Sequence, residues 1–493
     1  MSASTSFALL PNASSLPWAS VPAWAPAELV RVTAAELKRG ARLCVWYGVP
    51  TGDAFQLVAI LAFDADSTLA VGRSTPFIGS YPALTQQHPQ AHLFEREVFE
   101  QTGLLPEGHP WLKPVRKNHG NAPAMGEFFC VGGPEIHEVA VGPVHAGIIE
   151  PGHFRFQCAG EEVIHLEIAL GYQHRGIERA LLGGPHGTTL SQVGVISGDA
   201  TIAHTTAYAT LLETLGGGEA PLRAQWVRSL ALELERLACH VGDLGALAND
   251  VAFLPTSSAC GKIRGDFLNL TALLCGNRFG RGLVRPGGCR YDLEPERMAT
   301  LRTRLQTALA DAEQAIEWLW GSASVRARFE EIGTVSPHQA NELGLVGPAA
   351  RACGIVRDVR CDHPAGWHRF AQAPVAVWPG GDVFGRARVR SLEVQRSGQF
   401  LLDELSHGPD GPIQEPVPPP EADTLAVSLV EGWRGEVCHA ALTDSHGAFR
   451  HYKIVDPSFH NWMGLAIALR GQAISDFPIC NKSFNLSYCG HDL

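Results

Sequence analysis

Apolar residues recur at two different periods along this chain, and the change of period divides it. Residues 43–47 (Leu43-Cys44-Val45-Trp46-Tyr47) and 55–63 are short apolar runs, the second closed by the turn Asp64-Ala65-Asp66, and they predict strands. The mixed run 93–100 (Leu93-Phe94-Glu95-Arg96-Glu97-Val98-Phe99-Glu100) predicts a short amphipathic helix. Beyond residue 200 the period lengthens. A helix over 203–215 is stopped by Gly216-Gly217-Gly218, and Pro221 sits near the next start. Leu222, Trp226, Leu230, Leu234, Leu237, Val241 and Leu244 then recur at helical spacing to about residue 247. Further helices are predicted over 293–320, over 382–405 with Arg386, Arg390 and Glu393 on one face, and over 461–470 as the last. The fold class is therefore α+β: a small N-terminal α+β domain followed by a large, mainly helical bundle.

Composition adds the divisions. Residues 1–30, rich in Ala, Ser, Pro and Trp, read as an arm, either poorly ordered or docked on a partner through Trp18 and Trp24. The small domain is expected over 31–117, a linker carrying Gly120, Pro123, Gly126, Gly132, Gly133 and Pro134 over 118–141, and the large domain over 142–493. The proline-rich stretch 412–420 is expected as an extended surface loop.

A length of 493 residues with 45% apolar content supports two or more cores. The net charge of −11 argues against a nucleic-acid partner, which would need clustered Lys and Arg. No apolar run approaches the roughly 20 residues of a membrane span. The first 26 residues lack a basic stretch and are broken by four prolines, unlike a signal peptide. The expectation is a cytoplasmic chain, held at a membrane only through partners. The twelve cysteines include no C-x-x-C pair and read as small buried apolar residues. No G-x-G-x-x-G after a strand, G-x-x-x-x-G-K-[ST], H-E-x-x-H or G-x-S-x-G occurs, so NAD or an iron–sulfur cluster is expected on another subunit.

The densest chemistry lies between residues 142 and 213. It opens with Gly142-Pro143-Val144-His145 and Glu150-Pro151-Gly152-His153-Phe154-Arg155 and passes through Tyr172-Gln173-His174-Arg175-Gly176-Ile177-Glu178. It closes on Ser197-Gly198-Asp199-Ala200-Thr201-Ile202-Ala203-His204. Later blocks follow in order: Val284-Arg285-Pro286-Gly287-Gly288, Asp358-Val359-Arg360 with Asp362-His363-Pro364, Gly381-Asp382-Val383, and Glu431-Gly432-Trp433-Arg434-Gly435-Glu436. Together they resemble the large subunit of group 4 nickel–iron hydrogenases and its relative, the quinone-site core subunit of respiratory complex I. Residues 93–110, with Gly108-His109-Pro110, resemble the neighbouring hydrophilic subunit of complex I, fused ahead of it in this order.

That resemblance implies a hydrogenase-type large-subunit fold and a place in a membrane-associated, NADH dehydrogenase-like oxidoreductase. The implied partners are a small iron–sulfur subunit, antiporter-like membrane proteins and anchor subunits, on the inner face of the cytoplasmic membrane. Hydrogenases of the family hold nickel and iron with two C-x-x-C pairs, because nickel wants soft thiolate donors. In register those pairs fall on Ser197 and Ala200, and on Ser487 and Gly490, so a Ni–Fe centre is not expected. In complex I the corresponding cavity takes a quinone, hydrogen-bonded by a His and a Tyr. Here His145 matches the His and Gly198 the Tyr position. The resemblance assigns proton or acceptor chemistry to His145, Glu178, Asp199 and His204, with His145 and Gly198 beside the quinone. The function that the resemblance implies is passage of electrons from the partner's iron–sulfur cluster to a quinone or similar acceptor, and the alternative is a redox-silent structural or coupling subunit of the same assembly.

Overall fold

The computed structural model describes residues 7–116 and 127–493. Its N-terminal sheet runs in the order Ala8–Leu10, Thr68–Ser74, Ala54–Phe63, Arg42–Thr51, with Ala23–Trp24 pairing in parallel beside Thr68–Ser74. Arg42–Thr51 is buried over almost its whole length because both of its faces are covered, which is why it reads as unbroken apolar sequence rather than an alternation. Helix His92–Thr102 packs on it. Residues of a C-terminal sheet, among them Leu425, Val427, Cys438 and Leu442, share the same core. The C-terminal sheet is antiparallel, in the order Phe449–Val455, Gly435–Thr443, Thr424–Gly432, Ser14–Pro17.

The expected arm is therefore not loose over residues 7–30. Its strand Ala8–Leu10 extends the first sheet and Ser14–Pro17 extends the second, so one short segment ties the two together. Trp18 is buried under the Arg73 guanidinium, 4.4 Å from its ring, rather than held out for a partner. Asn12 fixes the crossing point. Its Nδ2 donates to the His363 carbonyl at 2.8 Å and the Leu429 carbonyl at 2.9 Å, while its Oδ1 accepts from Leu429 N–H at 2.8 Å. The expected linker is also partly structured: Ile136–Val141 is the edge of a three-stranded sheet with His153–Ala159 and Glu162–Ala169. Residues 118–126 of that linker lie outside the described residues.

The helices observed are Thr201–Leu215, Leu222–Asp250, Pro295–Gly321, Val383–Glu404 and Pro457–Ala468, close to the predicted spans. Leu254–Cys275 is an additional helix, and the chain ends on two more, Phe477–Phe484 and Tyr488–Asp492. Leu222–Asp250 is the axis of the bundle, buried on nearly every side against Leu254–Cys275 and Val383–Glu404. Total burial has an electrostatic consequence. Glu233, Arg236 and His240 on this helix meet Arg351, Asp358, Arg360, Glu393 and Glu431 away from water. Glu393 receives Arg351 at 2.6 Å, His240 at 2.5 Å and Arg236 at 3.2 Å. Burial opposes its ionisation, yet Arg351 and Arg236 hold its carboxyl well below the usual range. Arg390 pairs with Asp243 at 2.8 Å and Arg386 donates to the Gly381 and Gly333 carbonyls. The charged face of Val383–Glu404 thus stays inside the chain.

Candidate functional site

Two chain segments meet at Ser197 and Ser487, the positions onto which the resemblance places the first members of the two cysteine pairs. One is the turn leading into helix Thr201–Leu215, and the other is the start of helix Tyr488–Asp492. Ser197 and Ser487, far apart in sequence and both buried, touch through their hydroxyls at 3.0 Å. Ser197 spends its proton on Asp199 Oδ1 at 3.1 Å, so Ser487 is the donor between the two. Ser487 in turn caps its helix, its Oγ accepting from Gly490 N–H at 3.0 Å. The third and fourth corners hold no donor. Ala200 packs against Cys239 and Trp433. A Cβ placed on Gly490 would lie 2.6 Å from the Asp456 carboxylate.

Arg434 seals the arrangement. Its guanidinium grips both Asp199 oxygens, at 2.6 and 2.9 Å, and lies 3.9 Å over the Trp433 ring. Its Nε donates to the Asn485 carbonyl at 2.6 Å, and Trp433 Nε1 donates to the Asp199 carbonyl at 2.9 Å. Burial pushes the Asp199 carboxyl upward, but Arg434 and Ser197 more than offset it and leave it below the ordinary range. The Asp199 side chain keeps 35% of its surface exposed while Arg434 keeps 7%, so the pair forms a plug with its acidic end outward. Gly198, beside it, is exposed, and a side chain built there would meet nothing within 4 Å.

His204, one turn into the helix, lies behind the plug and is fully buried. Its Nε2 faces Asp456 Oδ2 at 3.1 Å and its Nδ1 faces His439 Nε2 at 3.1 Å. His439 Nδ1 reaches the Tyr452 hydroxyl at 2.8 Å. Desolvation holds His439 well below its ordinary range and Tyr452 well above its own. Glu235 closes the opposite flank, accepting from Ile202 N–H at 2.8 Å and Ala203 N–H at 3.3 Å at the start of the same helix.

The other expected residues sit elsewhere. His145 is half-buried, its Nε2 bonded to the Gly152 carbonyl at 2.8 Å, in a loop that meets the corner helix through Glu150 and through Gly152 beside the Tyr488 ring. Glu150 accepts from Tyr488 N–H at 3.2 Å and Cys489 N–H at 3.3 Å. Glu178 accepts from Lys453 Nζ at 2.8 Å and Ile454 N–H at 2.9 Å, on the wall of a cavity of about 770 Å³ between the small sheet and the helix Ile177–Leu181. Lys453 also pairs with Glu97 at 2.8 Å, and Glu97 with Arg116. Among the described residues no hydrogen bond joins His145 or Glu178 to Asp199 or His204. The Tyr-Gln-His-Arg-Gly motif receives the C-terminus: Asp492 accepts from Gly171 N–H at 2.8 Å and Gln173 N–H at 2.9 Å, and Arg175 donates to the Ile196 and Cys489 carbonyls at 2.8 and 3.1 Å.

Sequence reasoning missed Asp456, His439 and Tyr452. Asp456 before Pro457 carries a readable helix-cap signal, and its Oδ1 does accept from Ser458 N–H at 2.8 Å. His439 and Tyr452 lie in strands of the C-terminal sheet and carry no such signal.

A nickel–iron centre does not fit these residues. Two corners have hard hydroxyls bonded to each other, and the others present a methyl group and a glycine whose missing side chain is replaced in space by Asp456. Among the described residues no group of three or more His, Cys, Asp or Glu is placed to hold a metal ion. None of their helices is long and apolar enough to cross a membrane.

Residues 250–424 match the family model described as the respiratory-chain NADH dehydrogenase 49 Kd subunit, and residues 25–120 match that of its 30 Kd subunit. Formate hydrogenlyase subunit 5 of Escherichia coli (strain K12) is 30% identical over 434 residues, covering 83% of this chain and 76% of the relative. NADH-quinone oxidoreductase subunit 4 of Thermus thermophilus is 27% identical, covering 69% of this chain and 90% of the relative. Among solved structures, a chain from the membrane-bound sulfane sulfur reductase, an archaeal respiratory membrane complex, shares the fold. It superposes with a TM-score of 0.68 at 23% identity, covering 73% of this chain and 99% of that one.

Proposed function

Because this chain belongs to the family of the 49 Kd and 30 Kd subunits of respiratory NADH dehydrogenase and the related hydrogenase large subunits, with the two fused, we propose that it is a metal-free coupling core of a complex I-like membrane assembly. It carries a 30 Kd-type domain over 31–117 and a 49 Kd-type domain over 142–493. It sits on the cytoplasmic face, held there by a small iron–sulfur subunit and by antiporter-like and anchor subunits in the membrane. The observation that carries the reading is the Ser197–Ser487 hydrogen bond backed by the Asp199–Arg434 plug. Hydrogenases need an open, thiolate-lined chamber at this place, and here the walls bind each other. The site keeps the framework of the relatives and puts ion pairs and hydrogen bonds where a metal would act.

A second reading, transfer of electrons from a partner cluster to a quinone-class acceptor, is favoured by one observation. Gly198 opens onto free space beside the exposed end of Asp199, so a headgroup could lie on the outer face of the plug against the partner subunit.

The discriminating experiment purifies the assembly through a tag on this chain and supplies a low-potential donor with a soluble quinone. The coupling reading expects co-purification of complex I-type subunits, no stoichiometric nickel and no quinol. Quinol formation that Gly198→Trp abolishes while the assembly stays intact would move the account to the second reading. One nickel per chain would overturn both.

A further inference from the structure

Tyr452, His439, His204 and Asp456 form an unbroken hydrogen-bonded line through a region with almost no solvent access, in steps of 2.8, 3.1 and 3.1 Å. Each polar group at that depth carries a desolvation cost that apolar side chains would avoid. The line has two ends of different kinds. Tyr452 belongs to the wall of the 770 Å³ cavity, with Glu178, His174, Arg450 and His451. Asp456 ends against Gly490, at the fourth vacated corner.

The chemistry of the ends fixes the sense of the bonds. Burial works against ionisation of Asp456, but the His204 hydrogen bond and the charge of Arg434 keep its carboxyl below the ordinary range. As a carboxylate it only accepts, so His204 carries a proton on Nε2. Neutral His439 carries one proton. With His204 also neutral, its bare Nδ1 accepts from His439 Nε2–H, and the bare Nδ1 of His439 accepts the Tyr452 O–H. Every donor then points from the cavity toward Asp456. With the His204 Nε2 proton moved onto Asp456 and the others shifted behind it, all three bonds reverse: Asp456 donates to His204, His204 to His439, and His439 to the Tyr452 oxygen. The two arrangements are the states before and after a proton has moved along the line.

We propose that Tyr452, His439, His204 and Asp456 are a proton relay between the cavity and the inner flank of the closed corner. Tyr452 passes its hydroxyl proton to His439 Nδ1 as it takes one from water in the cavity. His439 passes its Nε2 proton to His204 Nδ1, and His204 passes its Nε2 proton to the Asp456 carboxylate. One proton crosses, each broken O–H or N–H bond is matched by one formed, and no electron moves. The role of the relay within the assembly rests on the coupling reading; the existence of the relay does not. The path is separate from Glu178, which is bound up with Lys453.

The test uses the full chain with ¹⁵N-labelled histidine and follows exchange of the His204 ring N–H with solvent, beside exchange of the backbone amides of helix Thr201–Leu215. A relay lets the ring proton exchange without opening the helix. Tyr452→Phe removes the entry hydroxyl, and ring exchange at His204 should slow by on the order of tenfold while the amides are unchanged or faster. A merely structural bond has the opposite signature, since removing it loosens the region. Ring exchange that is unchanged or faster in Tyr452→Phe overturns the relay. If that variant does not fold, His439→Gln, which can bond to both neighbours but cannot relay, is read by the same criterion. The isolated chain suffices, so failure here leaves the assembly proposal standing, and absence of quinol leaves the relay standing.

Discussion

Asp199 shows how much of a residue's setting its sequence position leaves out. The resemblance assigned it acceptor or proton chemistry, and the fold adds a partner that the sequence did not indicate, the Arg434 guanidinium. Removing the carboxylate strands a buried guanidinium. Losing one partner of a buried pair costs about 3–5 kcal/mol, and because this carboxylate is one-third exposed, Asp199→Ala should cost about 2 kcal/mol in urea unfolding. Glu235 makes a prediction of opposite character. Burial raises its carboxyl from an ordinary 4.5 to about 8, the two backbone N–H bonds notwithstanding. The folded chain therefore binds a proton that the unfolded chain has released, and this group's contribution to stability falls as pH rises from 4.5 to about 8. Glu235→Gln removes that slope. Its thermal midpoint should gain on that of the wild type steadily across this window and level off above it. A constant difference would show that Glu235 does not titrate there.

At the scale of elements, period and breakers placed the long helices well. Pro221 and the Gly216-Gly217-Gly218 stop bound helices whose faces bury regularly repeated Leu and Trp. The N-terminal segment was not legible because its order comes from outside itself. Ala8–Leu10 and Ser14–Pro17 have no periodic signal of their own and become strands by pairing with edges supplied from more distant parts of the chain. The C-terminal sheet was hidden by burial on both faces, which leaves no alternation to read. Asn12 tests the stitching directly. Truncating it to Ala leaves the His363 carbonyl and both Leu429 backbone groups without partners, which should cost about 2–3 kcal/mol. Hydrogen exchange should rise first at Leu429, and little change there would mean that the segment is not what holds the two sheets together.

For the molecule as a whole, the ion network along helix Leu222–Asp250 is the part most exposed to failure. Arg351, Arg236 and His240 converge on Glu393, and removing that carboxylate takes one shared acceptor from three buried donors. Glu393→Ala should destabilise the chain by about 3–5 kcal/mol, whereas substituting the whole group with apolar residues of like volume should cost far less. Sequence reasoning placed Arg386, Arg390 and Glu393 on one face of a helix but could not say what that face meets. Only the packing of several elements around Leu222–Asp250 shows that the charges are turned inward. The same reason kept the relay out of reach: its members come from a helix, two strands and a helix cap that meet only in the folded chain.

The proposed coupling reading turns on the closure of the corner where Ser197 meets Ser487, and cross-linking reads this closure most directly. In a Cys489→Ser background, the pair Ser197→Cys and Ser487→Cys places two thiols where hydroxyls now stand 3.0 Å apart. After mild oxidation, mass spectrometry of the alkylated protein should find both new thiols consumed in one intramolecular disulfide, with each single variant fully alkylated. If instead the double variant retains both thiols free while folded, the corners stand apart and the chamber is open.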